Sequence, residues 1–191
     1  MKYSDINTPE ELLEFMSNNI IYGYISNNGK LYDNPNDSEW NMCFHDTCII
    51  QSPNSLLETK HGTCWDQTEL ERYWFINNNY EIKTIFLLFV VNKPNNLPTH
   101  SFLIFKKDNK YYWFEHSFTP YKGIHEYDSE KELIDDVCSK QIEYALSEGY
   151  PREDLTNLVA FDFTKPKDNC SVDEYIENAT KTMYESKKLE R

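Results

Sequence analysis

The chain has 191 residues, enough for a buried core, and its 39% hydrophobic, 27% charged and 15% aromatic residues exclude a disordered chain. Lysine and arginine number 19 against 32 aspartates and glutamates, for a net charge of −13. That balance argues against nucleic acid and anionic membrane surfaces, since both need a basic footprint.

Thr8-Pro9-Glu10-Glu11 opens a helix, with a cap, a proline at the first helical position and a capping-box glutamate. It carries Leu12, Leu13, Phe15 and Met16 and fades by Asn18-Asn19. Ile20 to Ser26 is a short strand, Asn27-Asn28-Gly29 a turn, and Asp33 to Glu39 a polar loop within an irregular stretch. Cys48-Ile49-Ile50 is extended. Ser52-Pro53 starts a helix through Leu56 and Leu57 that stops near Gly62, and a further helix runs from Cys64 to about Ile76. Glu81 to Val91 is apolar on both faces, the pattern of a central strand. The loop Asn92 to Thr99 leads to a hairpin of His100–Lys106 and Tyr111–His116 about the turn Lys107-Asp108-Asn109-Lys110. Ser129 to about Ser147 is a long amphipathic helix through Leu133, Ile134, Val137, Ile142 and Leu146. Leu158 to Phe163 is a strand, and Ser171-Val172-Asp173-Glu174 caps a polar C-terminal helix.

No internal repeat or low-complexity linker interrupts this order, so 1–191 is expected to be a single domain. Adjacent strands joined by a short turn imply an antiparallel sheet, and the fold class is α+β. No stretch approaches the ~20 apolar residues of a transmembrane helix, and Met1-Lys2-Tyr3-Ser4-Asp5 lacks a signal-peptide pattern. A cytoplasmic location is the default expectation. The odd set Cys43, Cys48, Cys64, Cys138 and Cys170 has no dense regular spacing, which suits reduced thiols.

Cys64 carries the chemistry. Thr63 is a good N-cap for its helix, and Asp66 three residues on completes a capping-box pattern. A cysteine in the first turn faces unpaired backbone N–H groups and the positive end of the helix dipole, and both favour thiolate over thiol. A thiolate nucleophile needs a base, and the base needs an orienting partner. Of His45, His61, His100, His116 and His125, His100 opens the first hairpin strand and so lies at a sheet end. With the turn centred on Asp108-Asn109, paired positions add to about 217, so Glu115 is a diagonal neighbour of His100, within reach on one face. His116 points to the opposite face.

Gly62-Thr63-Cys64-Trp65, His100-Ser101-Phe102 opening a strand, and Tyr111-Tyr112-Trp113-Phe114-Glu115-His116 together resemble the transglutaminase-like superfamily of papain-like cysteine enzymes. The resemblance spans about Ser52 to Phe118. It implies a nucleophile helix packed on an antiparallel sheet and a Cys64–His100–Glu115 triad, with glutamate where the family usually has aspartate. It further implies acyl transfer on amide bonds of a protein or peptide through a thioester on Cys64: hydrolysis, deamidation or transamidation. No cofactor or metal is implied. The Cys64 N–H is the natural oxyanion donor; Gln51, Trp40, Gln67 and Trp65 are candidates for the second donor or for substrate contacts.

Two other readings stand beside this one. The same fold without catalysis serves as a protein-binding module. Cys43, His45 and Cys48 offer three potential zinc ligands within six residues, but no CxxC pair or second matching half accompanies them.

Overall fold

The computed structural model describes residues 2–35, 37–90 and 97–184. The expected end of the central strand at Val91 and the start of the proline loop, 92–96, lie outside the described residues.

In chain order the elements are α1 (Pro9–Asn19), β1 (Ile21–Tyr22), β2 (Tyr24–Ser26), β3 (Leu31–Tyr32), α2 (Ser38–Thr47), β4 (Cys48–Ile50), α3 (Pro53–Thr59), β5 (His61–Gly62), α4 (Cys64–Asn77) and β6 (Glu81–Phe89). There follow β7 (His100–Lys107), β8 (Lys110–Glu115), β9 (Gly123–Tyr127), α5 (Glu130–Ser147), β10 (Leu158–Asp162), β11 (Cys170–Ser171) and α6 (Val172–Ala179).

The frame is an antiparallel five-stranded sheet in the order β10-β6-β7-β8-β9. Side chains alternate across it. Leu103, Phe105 and Phe114 face one side and pack with Leu70, Trp74 and Phe75 of α4. Ile85, Leu87, Phe102, Ile104 and Trp113 face the other and pack with Leu133, Ile134 and Val137 of α5. Covered on both faces, β6 and β7 carry unbroken apolar runs at 85–89 and 102–105. A smaller antiparallel sheet, β11-β4-β2-β3, joins α2 and α6 around Tyr24, Ile50, Trp65 and Tyr175. The architecture is mixed helix and antiparallel sheet, consistent with α+β.

The hairpin turn sets the register of the large sheet. Asp108 and Asn109 both have positive φ, 50° and 61°, as a two-residue turn matched to strand twist requires. Lys107 thus pairs with Lys110 and Leu103 with Phe114.

The structure departs from the sequence expectations in five places. The Ile20–Ser26 strand is split at Gly23, and its first half, β1, pairs in parallel with β5. The polar loop gives way to α2, capped by Asp37, which packs Trp40 and Phe44 against Tyr24. β9 adds a fifth strand from a stretch without strong alternation. α6 is amphipathic rather than simply polar: Val172, Tyr175 and Ala179 are buried at helical spacing.

The fifth departure concerns Gly62. α3 ends at Thr59 with Lys60 in the left-handed position (φ 61°), so Gly62 is not its stop. A Cβ on Gly62 would lie 2.6 Å from Leu56 Cδ1 and 2.8 Å from Asp66 Cβ, so close approach is what requires glycine. Gly62→Ala is expected to destabilise the fold by about 1–3 kcal/mol, the usual range for overpacking. A denaturant midpoint equal to that of the unmodified chain would refute this role.

Candidate active site

The segment 61–64 brings Cys64 to the start of α4. Asp66 locks it. Its buried carboxylate accepts from Gln51 N–H at 2.7 Å, Thr63 N–H at 2.7 Å and Thr63 Oγ1 at 2.9 Å. Burial pushes the Asp66 carboxyl up to about 6 against these bonds. Gln67 ties the same turn from within the helix, its amide nitrogen donating to Gly62 C=O at 2.8 Å.

β7 and β8 bring His100 and Glu115 together. His100 Nε2 donates to Glu115 Oε2 at 2.7 Å. Glu115 also accepts from Trp113 Nε1 (3.1 Å), Ser117 Oγ (3.0 Å) and Phe118 N–H (2.7 Å). Four donors thus converge on one carboxylate that is 2% exposed. Burial opposes charge on the His100 ring, but the Glu115 carboxylate, then contact with the Cys64 thiol, outweigh it and raise the imidazolium to about 10. Burial likewise works against the Glu115 anion, and the His100 charge and the hydrogen bonds more than offset it, leaving that carboxyl below its ordinary range. Since Nε2 is taken by Glu115, the Cys64 contact falls to Nδ1. Cys64 is 5% exposed and His100 4%.

The remaining sequence candidates are placed otherwise. Gln51 spends its amide inside the loop, donating to His61 C=O and accepting from Thr59 Oγ1, both at 2.7 Å. The Gln67 carbonyl pairs with His116 Nδ1 at 2.6 Å. Trp65 lies in the core, stacked on Tyr175 at 4.5 Å. Trp40 is buried and stacks on Tyr22, with ring centroids 6.0 Å apart. His116 bonds Gln67 on the α4 side, and Lys122 Nζ approaches its Nε2 at 3.4 Å. Burial, then Lys122, lower its pKa to about 4, so the ring is neutral, with Nδ1–H donating to Gln67.

Two residues near the thiol escaped the sequence reading. Tyr22 carries its hydroxyl near Cys64. Its signal is a parallel strand pairing between segments forty residues apart, which no local pattern announces. Glu71, two turns along α4 from Cys64, is buried; desolvation, then the Glu115 charge, hold its carboxyl well above the usual range. Both effects work against a second anion beside Glu115.

His45 lies at the surface, facing Asp173 at 3.3 Å, while Cys48 is buried in β4. Among the described residues no three histidine, cysteine or acidic side chains converge on a point that could hold a metal ion. Among them, too, no helix is long and apolar enough to cross a membrane.

A family model described as a transglutaminase-like domain matches residues 1–144. No curated protein and no solved structure matches the chain.

Proposed function

Because the chain belongs to the transglutaminase-like domain family, we propose that it is a cysteine-dependent acyl-transfer enzyme of papain-like fold acting on amide bonds. The observation that carries this reading is the 2.7 Å bond from His100 Nε2 to Glu115, with the Cys64 thiol against the other side of the ring.

The chemistry follows from that order. Cys64 Sγ attacks the amide carbonyl while the proton of the Cys64–His100 pair sits on His100 Nδ1. The carbonyl π electrons move to oxygen, where the Cys64 N–H at the helix start can donate. Glu115 holds the imidazolium through Nε2. Collapse breaks the C–N bond, His100 returns the proton to the leaving amine or ammonia, and a thioester remains on Cys64. Water, deprotonated by His100, then releases the acid. Hydrolysis, including deamidation of glutamine, is favoured over crosslinking, because water needs no built acceptor site.

The test is alkylation and turnover of the native protein. Iodoacetamide at neutral pH is expected to modify Cys64 ahead of the other four cysteines, as read by peptide mass spectrometry. A panel of glutamine-containing peptides and peptide amides is expected to yield ammonia or free amine, with Cys64→Ala inactive. An inert Cys64 would sink the reading in favour of a binding module on the same fold.

A further inference from the structure

His100 and Glu115 each have a chain neighbour that reaches the other way. Side chains alternate along an extended chain, and Ser101 and His116, one residue on, turn toward the helix that Cys64 opens. Thr68 Oγ1 donates to Ser101 Oγ at 3.3 Å, and His116 Nδ1–H donates to Gln67 Oε1 at 2.6 Å. Gln67 and Thr68 are consecutive in α4, three and four residues after Cys64 and so one turn along from it on the same face. All four side chains are buried, none more than 4% exposed.

Of the two ties, the one through His116 is the shorter, and it belongs to a chain of hydrogen bonds. Lys122 Nζ donates to His116 Nε2 at 3.4 Å, His116 to Gln67 Oε1, and Gln67 Nε2 to Gly62 C=O at 2.8 Å. Burial, then the Lys122 charge, hold the His116 pKa down at about 4. The ring is therefore neutral at neutral pH, with one donor and one acceptor, and both are used. The Gln67 amide likewise spends its carbonyl on the sheet side and its nitrogen on the turn before Cys64. One side chain thus holds both the first turn of α4 and the residue two before the nucleophile to the end of β8.

We infer that Gln67 and His116 are positioning residues for the acyl-transfer chemistry: their hydrogen bond fixes the helix that carries Cys64 against the strand that carries Glu115, and so sets the approach of Sγ to the His100 ring. The inference rests on the acyl-transfer reading above. Neither residue acts on the reacting atoms. Glu115 holds the His100 ring, and its chain neighbour holds the sulfur's helix, so any slip between helix and sheet is felt as a change in the Sγ–Nδ1 distance. A misplacement of about 1 Å can cost roughly 10²-fold in rate.

Two probes of Cys64 read this. p-Nitrophenyl acetate acylates it: the Sγ–C bond forms, the ester C–O bond breaks, and p-nitrophenolate leaves. Iodoacetamide alkylates it with loss of iodide, at pH 7 and at pH 9.5, where a cysteine of ordinary pKa, ~8.5, ionises without a partner. His116→Phe keeps a ring and removes the donor. It is expected to acylate roughly 10–10²-fold more slowly at pH 7. Its alkylation is expected to fall about tenfold at pH 7, the equivalent of one pKa unit, and to stay within about threefold at pH 9.5. His116→Asn, whose amide N–H can stand in for Nδ1–H, is expected to return both reactions to within about threefold of the unmodified rates. On a Gln67→Met background, where the bond is already gone, His116→Phe is expected to add no more than about twofold. That pair, apolar at both ends of the bond, carries the test if His116→Phe alone does not fold.

An unmodified pH 7 to pH 9.5 alkylation ratio in His116→Phe would overturn the inference and leave the acyl-transfer reading standing. So would equal losses in the Phe and Asn variants, or a full further loss on the Gln67→Met background. An unmodified protein that alkylates but never acylates would overturn both readings.

Discussion

Glu115→Gln is expected to lower stability by about 3–5 kcal/mol, the range for breaking a buried ion pair by removing one partner. The reason is the hydrogen-bond inventory at this side chain. His100 Nε2, Trp113 Nε1, Ser117 Oγ and Phe118 N–H all donate to Glu115. A carboxylate is an acceptor at both oxygens; an amide is an acceptor at one and a donor at the other. In either flip the glutamine NH2 faces donors, and two buried groups lose their partner. The pH profile distinguishes this from generic damage. His100 is raised to about 10 chiefly by Glu115, overcoming burial. Such a group contributes stability that is fully present below the unfolded histidine value of ~6.5 and is lost as pH rises through about 10. The unmodified chain is therefore expected to lose stability across that window, and Glu115→Gln to flatten the slope. Denaturant midpoints measured from pH 6 to 10 read this directly; parallel slopes would show that the pair does not hold the imidazolium.

His100→Ala is expected to slow acylation of Cys64 by roughly 10²–10⁴-fold, the usual contribution of a positioned general acid–base. It also leaves Glu115 buried beside an empty space, so a folding defect must be separated from a chemical one. Added imidazole does so. Restoration of acylation by free imidazole, with the melting curve unchanged, assigns the loss to the missing base. His100→Gln offers a second control, since its amide can still donate to Glu115. Acylation at the unmodified rate in both variants would remove His100 from the mechanism.

Much of the frame is local and was legible. Thr8 with Glu11, Ser129 and Ser171 announce helix starts because capping acts within four residues. Asp108-Asn109 announces the hairpin because two adjacent residues of positive φ suit few side chains. Register then follows by counting, and with it the meeting of His100 and Glu115. The Cys64 position at a helix start is legible for the same reason: the cap precedes it in the chain.

Other features depended on packing between distant segments. α2 is written in polar residues around Trp40 and Phe44, and its apolar face gains meaning against Tyr24 and Trp65. Gly62 looks like a helix stop in one dimension; in three it is a close contact between Leu56 and Asp66. Gln51 and Gln67 have the chemistry of oxyanion donors, and nearby carbonyls claim their amides. Tyr22 comes near Cys64 through the parallel pairing of β1 and β5. Residue type, capping and turn geometry thus set the elements and the order of the reactive groups. Which donors remain free, and which aromatic side chain lies near the thiol, followed from long-range packing, because hydrogen-bond partners and burial are assigned only when remote strands come together.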